Sequence, residues 1–295
     1  MKEDAWIDAI RRWTAAPASR DLRAGIGDDC AILRPPAGAD LLVTTDLMIE
    51  GVHFRRGVLT AEQAGAKTLA RGLSDIAAMG GEARFALVSL AVPQWADEGW
   101  VKEFYRGMAQ LGRRHGARII GGDLTRAARL AADVVALGYA PRGKALRRDG
   151  ARAGDVIYVS GALGRAAAAG FADVPEPRLE LGRKLRGKAT ACMDLSDGLA
   201  LDLHRMCLAS GTAAELDGVL PCAPGATLDE ALFGGEDYEL LCTLPAGLRP
   251  PRGLARIGQM TARHRKGEVW FAGVRLNPEG WDPFAKPARK RARRA

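Results

Sequence analysis

Residues 60–81, TAEQAGAKTLARGLSDIAAMGG, form a run of small, helix-compatible residues that stops at two glycines. On either side lie LLVTTD (Leu41–Asp46) and FALVSLAV (Phe85–Val92), apolar runs that read as strands. Strand, helix and strand in succession set the class as α/β or α+β. Further out, residues 3–14 predict an amphipathic helix, and WADEGWVKEFYRGMAQLGRRHG (95–116) a second helix closed by glycine. ARII (Ala117–Ile120) and DVVALGYA (Asp133–Ala140) read as strands. The polar segment PRGKALRRDGARAGD (Pro141–Asp155), punctuated by Gly and Pro, marks a domain boundary. Beyond it come a strand at DVIYVSG, an alanine-rich helix, a helix after MDLSDGL (Met193–Leu199) and a strand at YELLCTL. The expected organisation is a sheet-plus-helices domain over 1–140, an α/β domain over 141–285, and a basic, disordered tail over 286–295.

The 295 residues, 47% of them hydrophobic, suffice for two buried cores. No apolar run reaches the roughly 18 residues that span a bilayer, and the N-terminal MKEDAWIDAIRRW has no apolar signal-peptide centre. Five scattered cysteines without a CxxC pair argue for reduced thiols and a cytoplasmic location. The net charge of +8 is concentrated in the tail KPARKRARRA, so the body carries only about +2. With no aromatic residues among those charges, neither a specific nucleic-acid partner nor a membrane is expected.

Two GxxxxGK matches, GYAPRGKA (Gly138–Ala145) and GRKLRGKA (Gly182–Ala189), have Ala where a phosphate loop needs Ser or Thr. GIGDDC (Gly25–Cys30) lacks the third glycine of a dinucleotide fingerprint, and no GxSxG nucleophile elbow occurs. What recurs is aspartate beside glycine or at the end of an apolar run: Asp29, Asp46, Asp75, Asp123, Asp194 and Asp197, with Glu236 in GGEDYE. Singly, each reads as a turn residue or a cap; MDLSDGL alone is a good helix start. Together, carboxylates at the ends of buried strands converging on one sheet edge would repel unless cations bind. Oxygen ligands of this kind suit Mg2+, and neighbouring glycines let backbone N–H groups approach an anion. Mg2+ between carboxylates and polyphosphate points to ATP chemistry without a phosphate loop.

In the order GIGDDCAIL, TTDLMIEGVHF, LARGLSDIAAMGG, IIGGDLTR, MDLSDGL, FGGEDYEL and GWDPF, the chain resembles the thiamine-monophosphate kinase family. That family belongs to the superfamily of aminoimidazole-ribonucleotide-synthetase-like ATP enzymes, and the match runs from about Gly25 to Phe284. The resemblance implies phosphoryl transfer from ATP to thiamine monophosphate, with several Mg2+ ions. It implies Mg2+ ligands at Asp29, Thr44, Thr45, Asp46, Asp75, Asp123 and Asp194, and a further ion at Asp197. Tyr105, Gly121, Gly122, Arg148 and Ser196 match nucleotide-contacting positions; His53, Glu236 and Trp281 match the thiamine-holding ones. It also implies a homodimer in which the first domains pair their sheets into a shared barrel. An acceptor that is already an anionic phosphate needs no strong base, so Asp75 and Arg148 are expected to act through charge in a direct transfer.

The stretches Gly161–Pro177 and Gly218–Phe233 are shorter than the family usually has. Within the superfamily the alternatives are aminoimidazole-ribonucleotide synthetase, selenophosphate synthetase and the hydrogenase-maturation dehydratase. Selenophosphate synthetase should carry a reactive cysteine in a glycine-rich N-terminal segment, where Cys30 in GDDCAIL is expected to be a small core residue; the dehydratase ends in a functional cysteine, whereas this sequence ends in RARRA. A nucleic-acid binder working through the tail is the reading from another class.

Overall fold

The computed structural model describes residues 3–282 and 284, apart from 18 and 28; the tail expected to be disordered lies outside the described residues. Helix α1 (Glu3–Trp13) and a hairpin of β1 (Leu22–Ala24) and β2 (Ile32–Leu33) precede β3 (Ala39–Ile49). Helix α2 (Ala61–Ala78), β4 (Glu82–Val92), α3 (Glu98–His115), β5 (Arg118–Arg126) and β6 (Ala131–Pro141) follow. Strands β3, β6, β4 and β5 form a four-stranded sheet in that order, with β3–β6 and β6–β4 antiparallel and β4–β5 parallel.

The start of α2 is fixed by a capping box. Thr60 accepts from the Gln63 N–H at 3.2 Å, and the Gln63 side chain accepts from the Thr60 N–H at 2.9 Å. Helix α2 packs on α3 with almost no side chain between them. A Cβ on Gly65 would lie 1.8 Å from the Phe104 carbonyl oxygen, and one on Gly107 would lie 1.9 Å from that of Glu62. Only glycine permits this backbone contact.

Along β3, Leu42 and Met48 are buried beneath the helices, whereas Leu41, Val43 and Leu47 point away and are 47, 59 and 46% exposed. The helices linking β3 to β4 and β4 to β5 lie on one face of the sheet; on the other, β1 and β2 pack over Phe85, Leu137 and Tyr139, while Leu41, Val43 and Leu47 form an exposed apolar stripe along β3 beside Thr45 and Asp133.

After a loop come β7 (Val156–Val159), α4 (Arg165–Ala168), α5 (Leu179–Leu185), β8 (Ala191–Asp194), α6 (Leu199–Ser210), β9 (Ala213–Leu216) and α7 (Leu228–Phe233). Strands β10 (Leu240–Leu244), β11 (Ala255–Thr261), β12 (Val269–Phe271) and β13 (Val274–Arg275) complete the described chain. Seven of these strands form a second sheet in the order β13-β12-β9-β11-β7-β10-β8, mixed in direction, which makes the whole a mixed α/β fold. Strand β8 is its edge and ends at Asp194. Helix α2 touches the first sheet, α5, β8 and β10, so it lies between the two halves. Among the described residues no helix is long and apolar enough to cross a membrane.

Two expectations about the strands are corrected. The strand read at ARII continues through Gly121 and Gly122 to Arg126, because parallel pairing with β4 carries the glycine pair along. Asp46 and Asp123 therefore lie inside strands, not at strand ends converging on one edge. They stand on the two outer strands of the four-stranded sheet, about three strand spacings or ~14 Å apart. Their side chains also leave opposite faces. Asp46 pairs with Val134, which pairs with Val88; Asp123 shares the adjacent row with Ser89, Asp133 and Leu47.

Candidate active site

Helix α2 presents Lys67, Arg71, Ser74 and Asp75 at spacings that share one helix face, and each finds a carboxylate or hydroxyl from another element. Arg71 donates through Nε to Asp46 Oδ1 at 2.9 Å, with Nη2 2.7 Å from the same oxygen, and its Nη1 reaches Glu236 Oε1 at 3.0 Å. Thr44, on the same face of β3 as Asp46, donates to Asp75 Oδ2 at 2.5 Å. Ser74 donates to Asp194 Oδ2 at 2.7 Å, across the junction of the two halves. One oxygen of each of Asp46, Asp75 and Asp194 is thus held by a protein donor, which orients the carboxylate.

The electrostatics are unfavourable to three negative charges. Burial and then the charge of Asp75 push the Asp194 pKa well above the usual carboxylate range. Burial raises Asp75 and Asp46 as well. The Thr44 hydrogen bond and the charge of Arg148 only partly counter this at Asp75, and Arg71 only partly counters it at Asp46.

The GGEDYE loop forms the opposite wall. Its backbone is clipped to MDLSDGL by Glu236 N–H donating to the Ser196 carbonyl (2.8 Å) and Tyr238 N–H to that of Leu195 (2.9 Å). Glu236 and Tyr238 take left-handed φ values of 66° and 52°, sparsely populated for such side chains. Glu236 is gripped by two cations, Arg71 on Oε1 and the fully buried Lys67 on Oε2 at 2.7 Å. The Arg71 guanidinium also lies 5.8 Å from the Tyr238 ring centre.

Near this wall, the half-buried His53 has its ring 6.3 Å from that of Trp281, and its Nδ1 accepts from the Ile49 N–H at 3.1 Å. Burial, then Arg71 and Lys67, lower the His53 pKa to about 4, so it is neutral at physiological pH. The Trp281 N–H donates to the Asp197 carbonyl at 2.9 Å.

MDLSDGL itself resolves into three roles. Asp194 ends β8. Asp197 pairs with Arg205, which also donates to Asp202 Oδ1 at 2.9 Å. Asp202, in the first turn of α6, accepts through Oδ2 from the Ser196 and Asp197 N–H groups at 3.1 and 2.9 Å. The loop is therefore capped by a residue inside the helix, not by its own serine.

The structure brings Thr44, Asp46, Asp75, Asp194, Ser196, Asp197, His53, Glu236 and Trp281 into one region, with Arg148 near enough for its charge to act on Asp75. Thr45 falls on the other face of β3 and donates to Asp133 Oδ1 at 2.7 Å. Asp123 stands across the sheet beside Gly121 and Gly122. The buried Tyr105 lies close to Asp123, and burial followed by that charge keeps its hydroxyl protonated. At Gly122 (φ 147°) a Cβ would lie 1.9 Å from the Val88 carbonyl oxygen. Asp29 is exposed in the turn after β1.

Lys67, Arg71, Ser74, Tyr238 and Asp202 join the site without belonging to the aspartate–glycine pattern of the sequence. The usable signal was helical spacing, since Lys67 and Arg71 precede Asp75 by eight and four residues, on one face.

Among the described residues no three or more His, Cys, Asp or Glu side chains are gathered at metal-holding spacing. The donor set still fits Mg2+. It is all oxygen, its carboxylates raise one another's pKa, and Mg2+ takes only one or two carboxylates when phosphates and waters complete its shell.

Residues 27–140 match the model of "AIR synthase related protein, N-terminal domain". The thiamine-monophosphate kinase of Escherichia coli K12 is 37% identical over 311 residues, covering 90% of this chain and 94% of that protein. The chain belongs to the thiamine-monophosphate kinase family. The crystal structure of the family member from Stenotrophomonas maltophilia K279a superposes with a TM-score of 0.81 at 37% identity, covering 94% of this chain and 98% of that one. A solved structure described as "AaThiL complexed with AMPPCP and TMP" gives 0.78 at 30% identity, covering 96 and 97%. These matches each cover nine-tenths or more of the chain and so take in residues of both sheets.

Proposed function

We propose that the chain transfers the γ-phosphoryl group of ATP to thiamine monophosphate, giving thiamine diphosphate and ADP. The observation that carries this is the meeting of Asp46, Asp75 and Asp194 from both halves along α2, beside the His53–Glu236–Trp281 wall. The names of the relatives support it, as does the AMPPCP and TMP in the AaThiL complex.

Asp46, Asp75 and Asp194, with the Thr44 hydroxyl, would hold Mg2+, and Asp29, Thr45, Asp123 and Asp197 are the further ligands in this reading. Bound Mg2+ would neutralise polyphosphate charge and draw two anions together. The protein's own part is positional. Thr44, Ser74 and Arg71 fix the carboxylates, Arg148 faces them with positive charge, and Tyr105, Gly121, Gly122 and Ser196 contact nucleotide. His53, being neutral, presents no charge to repel a cationic thiazolium ring, and Trp281 offers it an aromatic face. The acceptor oxygen is already ionised, so transfer proceeds without a phosphorylated enzyme.

The same reading takes residues 1–140 as the ATP and dimerisation domain, 141–285 as the second domain, and the cytoplasm as the location. Two observations support a homodimer with pooled sheets: the exposed apolar stripe of Leu41, Val43 and Leu47 on one face of β3, and the position of Asp123 and Thr45 away from Asp46. A second copy packed on that face would cover Leu41, Val43 and Leu47.

The test is an assay of purified protein with ATP, Mg2+ and either thiamine monophosphate or free thiamine. Turnover of the monophosphate to the diphosphate is expected; phosphorylation of free thiamine alone overturns the reading.

A further inference from the structure

Lys67 is among the largest fully buried side chains of the described residues, and the only lysine or arginine in that group. A lysine of zero exposure is tolerated only when its ammonium is paired and hydrogen-bonded. Two partners are present, and they belong to different loops. Nζ lies 2.7 Å from Glu236 Oε2 in the GGEDYE loop, and it donates to the Phe171 carbonyl at 2.9 Å. Phe171 sits in the short connection between α4 and α5, at a left-handed φ of 62°, with its side chain 40% exposed. The Phe171 N–H donates to the Ala166 carbonyl at 2.7 Å where α4 ends, and the ammonium holds the carbonyl side of the same strained residue. One end of the tie steadies Glu236 of the wall; the other, to Phe171, has no part in holding the three aspartates. Lys67 does not reach Asp46, Asp75 or Asp194; Arg71 makes the contact to Asp46.

The consequence is geometric. The ion-pair and hydrogen-bond distances from Nζ place the Phe171 carbonyl oxygen within about 6 Å of the Glu236 carboxylate, so the Phe171 backbone stands beside the Glu236 part of the wall. We propose that Lys67 is a positioning residue that fixes Phe171 at the acceptor end of the site, where the phenyl ring closes on a planar, cationic heteroaromatic acceptor. The proposal rests on the acceptor reading given above, and it assigns the acceptor's ring system, not its phosphate, to Phe171.

Full-length Phe171→Ala, Phe171→Tyr, Lys67→Met and the Phe171→Ala/Lys67→Met double variant are compared with the wild type for kcat and for KM of each substrate. An aromatic face on a cation predicts a rise of about fivefold in acceptor KM for Phe171→Ala. The KM for ATP and the melting temperature should stay unchanged, and Phe171→Tyr should restore the acceptor KM. Lys67→Met should raise the acceptor KM at least as much, and adding Phe171→Ala to it should change little further. An acceptor KM within twofold of wild type in Phe171→Ala overturns the assignment, as does an equal rise in the KM for ATP.

Limited trypsin digestion without any ligand tests the anchoring apart from activity, through cleavage after Arg165 and Arg178 on either side of the loop. Faster cleavage in Lys67→Met but not in Phe171→Ala is expected. Equal rates in Lys67→Met and wild type overturn the positioning role, including in the case where Lys67→Met is destabilised. A wild-type protein that turns over no thiamine monophosphate sinks the functional reading, while the digestion still judges the anchor.

Discussion

At the scale of single residues, the site stores unfavourable charge. Asp75 is held above the ordinary carboxylate pKa by burial and by Asp46, so its ionised form costs stability when no cation is bound. Asp75→Asn keeps the shape and removes that charge. The expected outcome is an unchanged or higher melting temperature, a fall in kcat of at least ~100-fold, and loss of the Mg2+-dependent gain in melting temperature. Differential scanning fluorimetry with and without Mg2+ and a coupled ADP assay read these. His53 gives a second prediction with a definite sign. Its folded pKa of about 4 lies below the ordinary histidine value of 6.5, so the unfolded chain takes up the proton first as pH falls. The stability due to neutral His53 is complete above pH 6.5 and is lost as pH drops toward about 4. Urea midpoints measured across that window should fall in the wild type, and less so in His53→Gln. The acidic half of this site was legible in the sequence because aspartate beside glycine is conspicuous. The basic half was not. A lysine or arginine on a helix ordinarily faces solvent, and only the packed structure reveals that Lys67 and Arg71 point inward.

At the scale of elements, helix α2 and strand β5 carry the argument. The capping box at Thr60 fixes where α2 begins, and hence the rotation that aims Lys67, Arg71 and Asp75 at the site. Thr60→Ala should cost about 1 kcal/mol in denaturant unfolding. Helix α2 itself was readable from its glycine stop and small residues. Strand β5 was readable only to Ile120, since two adjacent glycines look like a turn. They remain in the strand because Gly122 lies against the Val88 carbonyl, where no side chain fits. Gly122→Ala should therefore unfold at lower denaturant, with a loss above about 2 kcal/mol. Sequence alternation also hides the facing of neighbours. Thr44 and Thr45 are adjacent in the chain, yet one donates to Asp75 and the other to Asp133 on the far face.

At the scale of the whole molecule, two sheets meet along one helix. Carboxylates from both sides of that junction, Asp75 and Asp194, are linked through Ser74. The alternation of strands and helices in the sequence foretold the mixed class. The order of seven strands in the second sheet could not be read, because pairing between distant strands is set by packing. The exposed face of β3 makes a prediction of its own. Val43→Glu with Leu47→Glu should yield a monomer by analytical ultracentrifugation and lower turnover. A dimer of undiminished activity in that variant would show that copies associate elsewhere. Finally, α2 and α3 touch backbone to backbone at Gly65 and Gly107, which leaves no side-chain layer at that crossing over which to slide. Shear at this crossing is thus disfavoured, so α2 and α3 carry the residues they present to the site as one rigid unit.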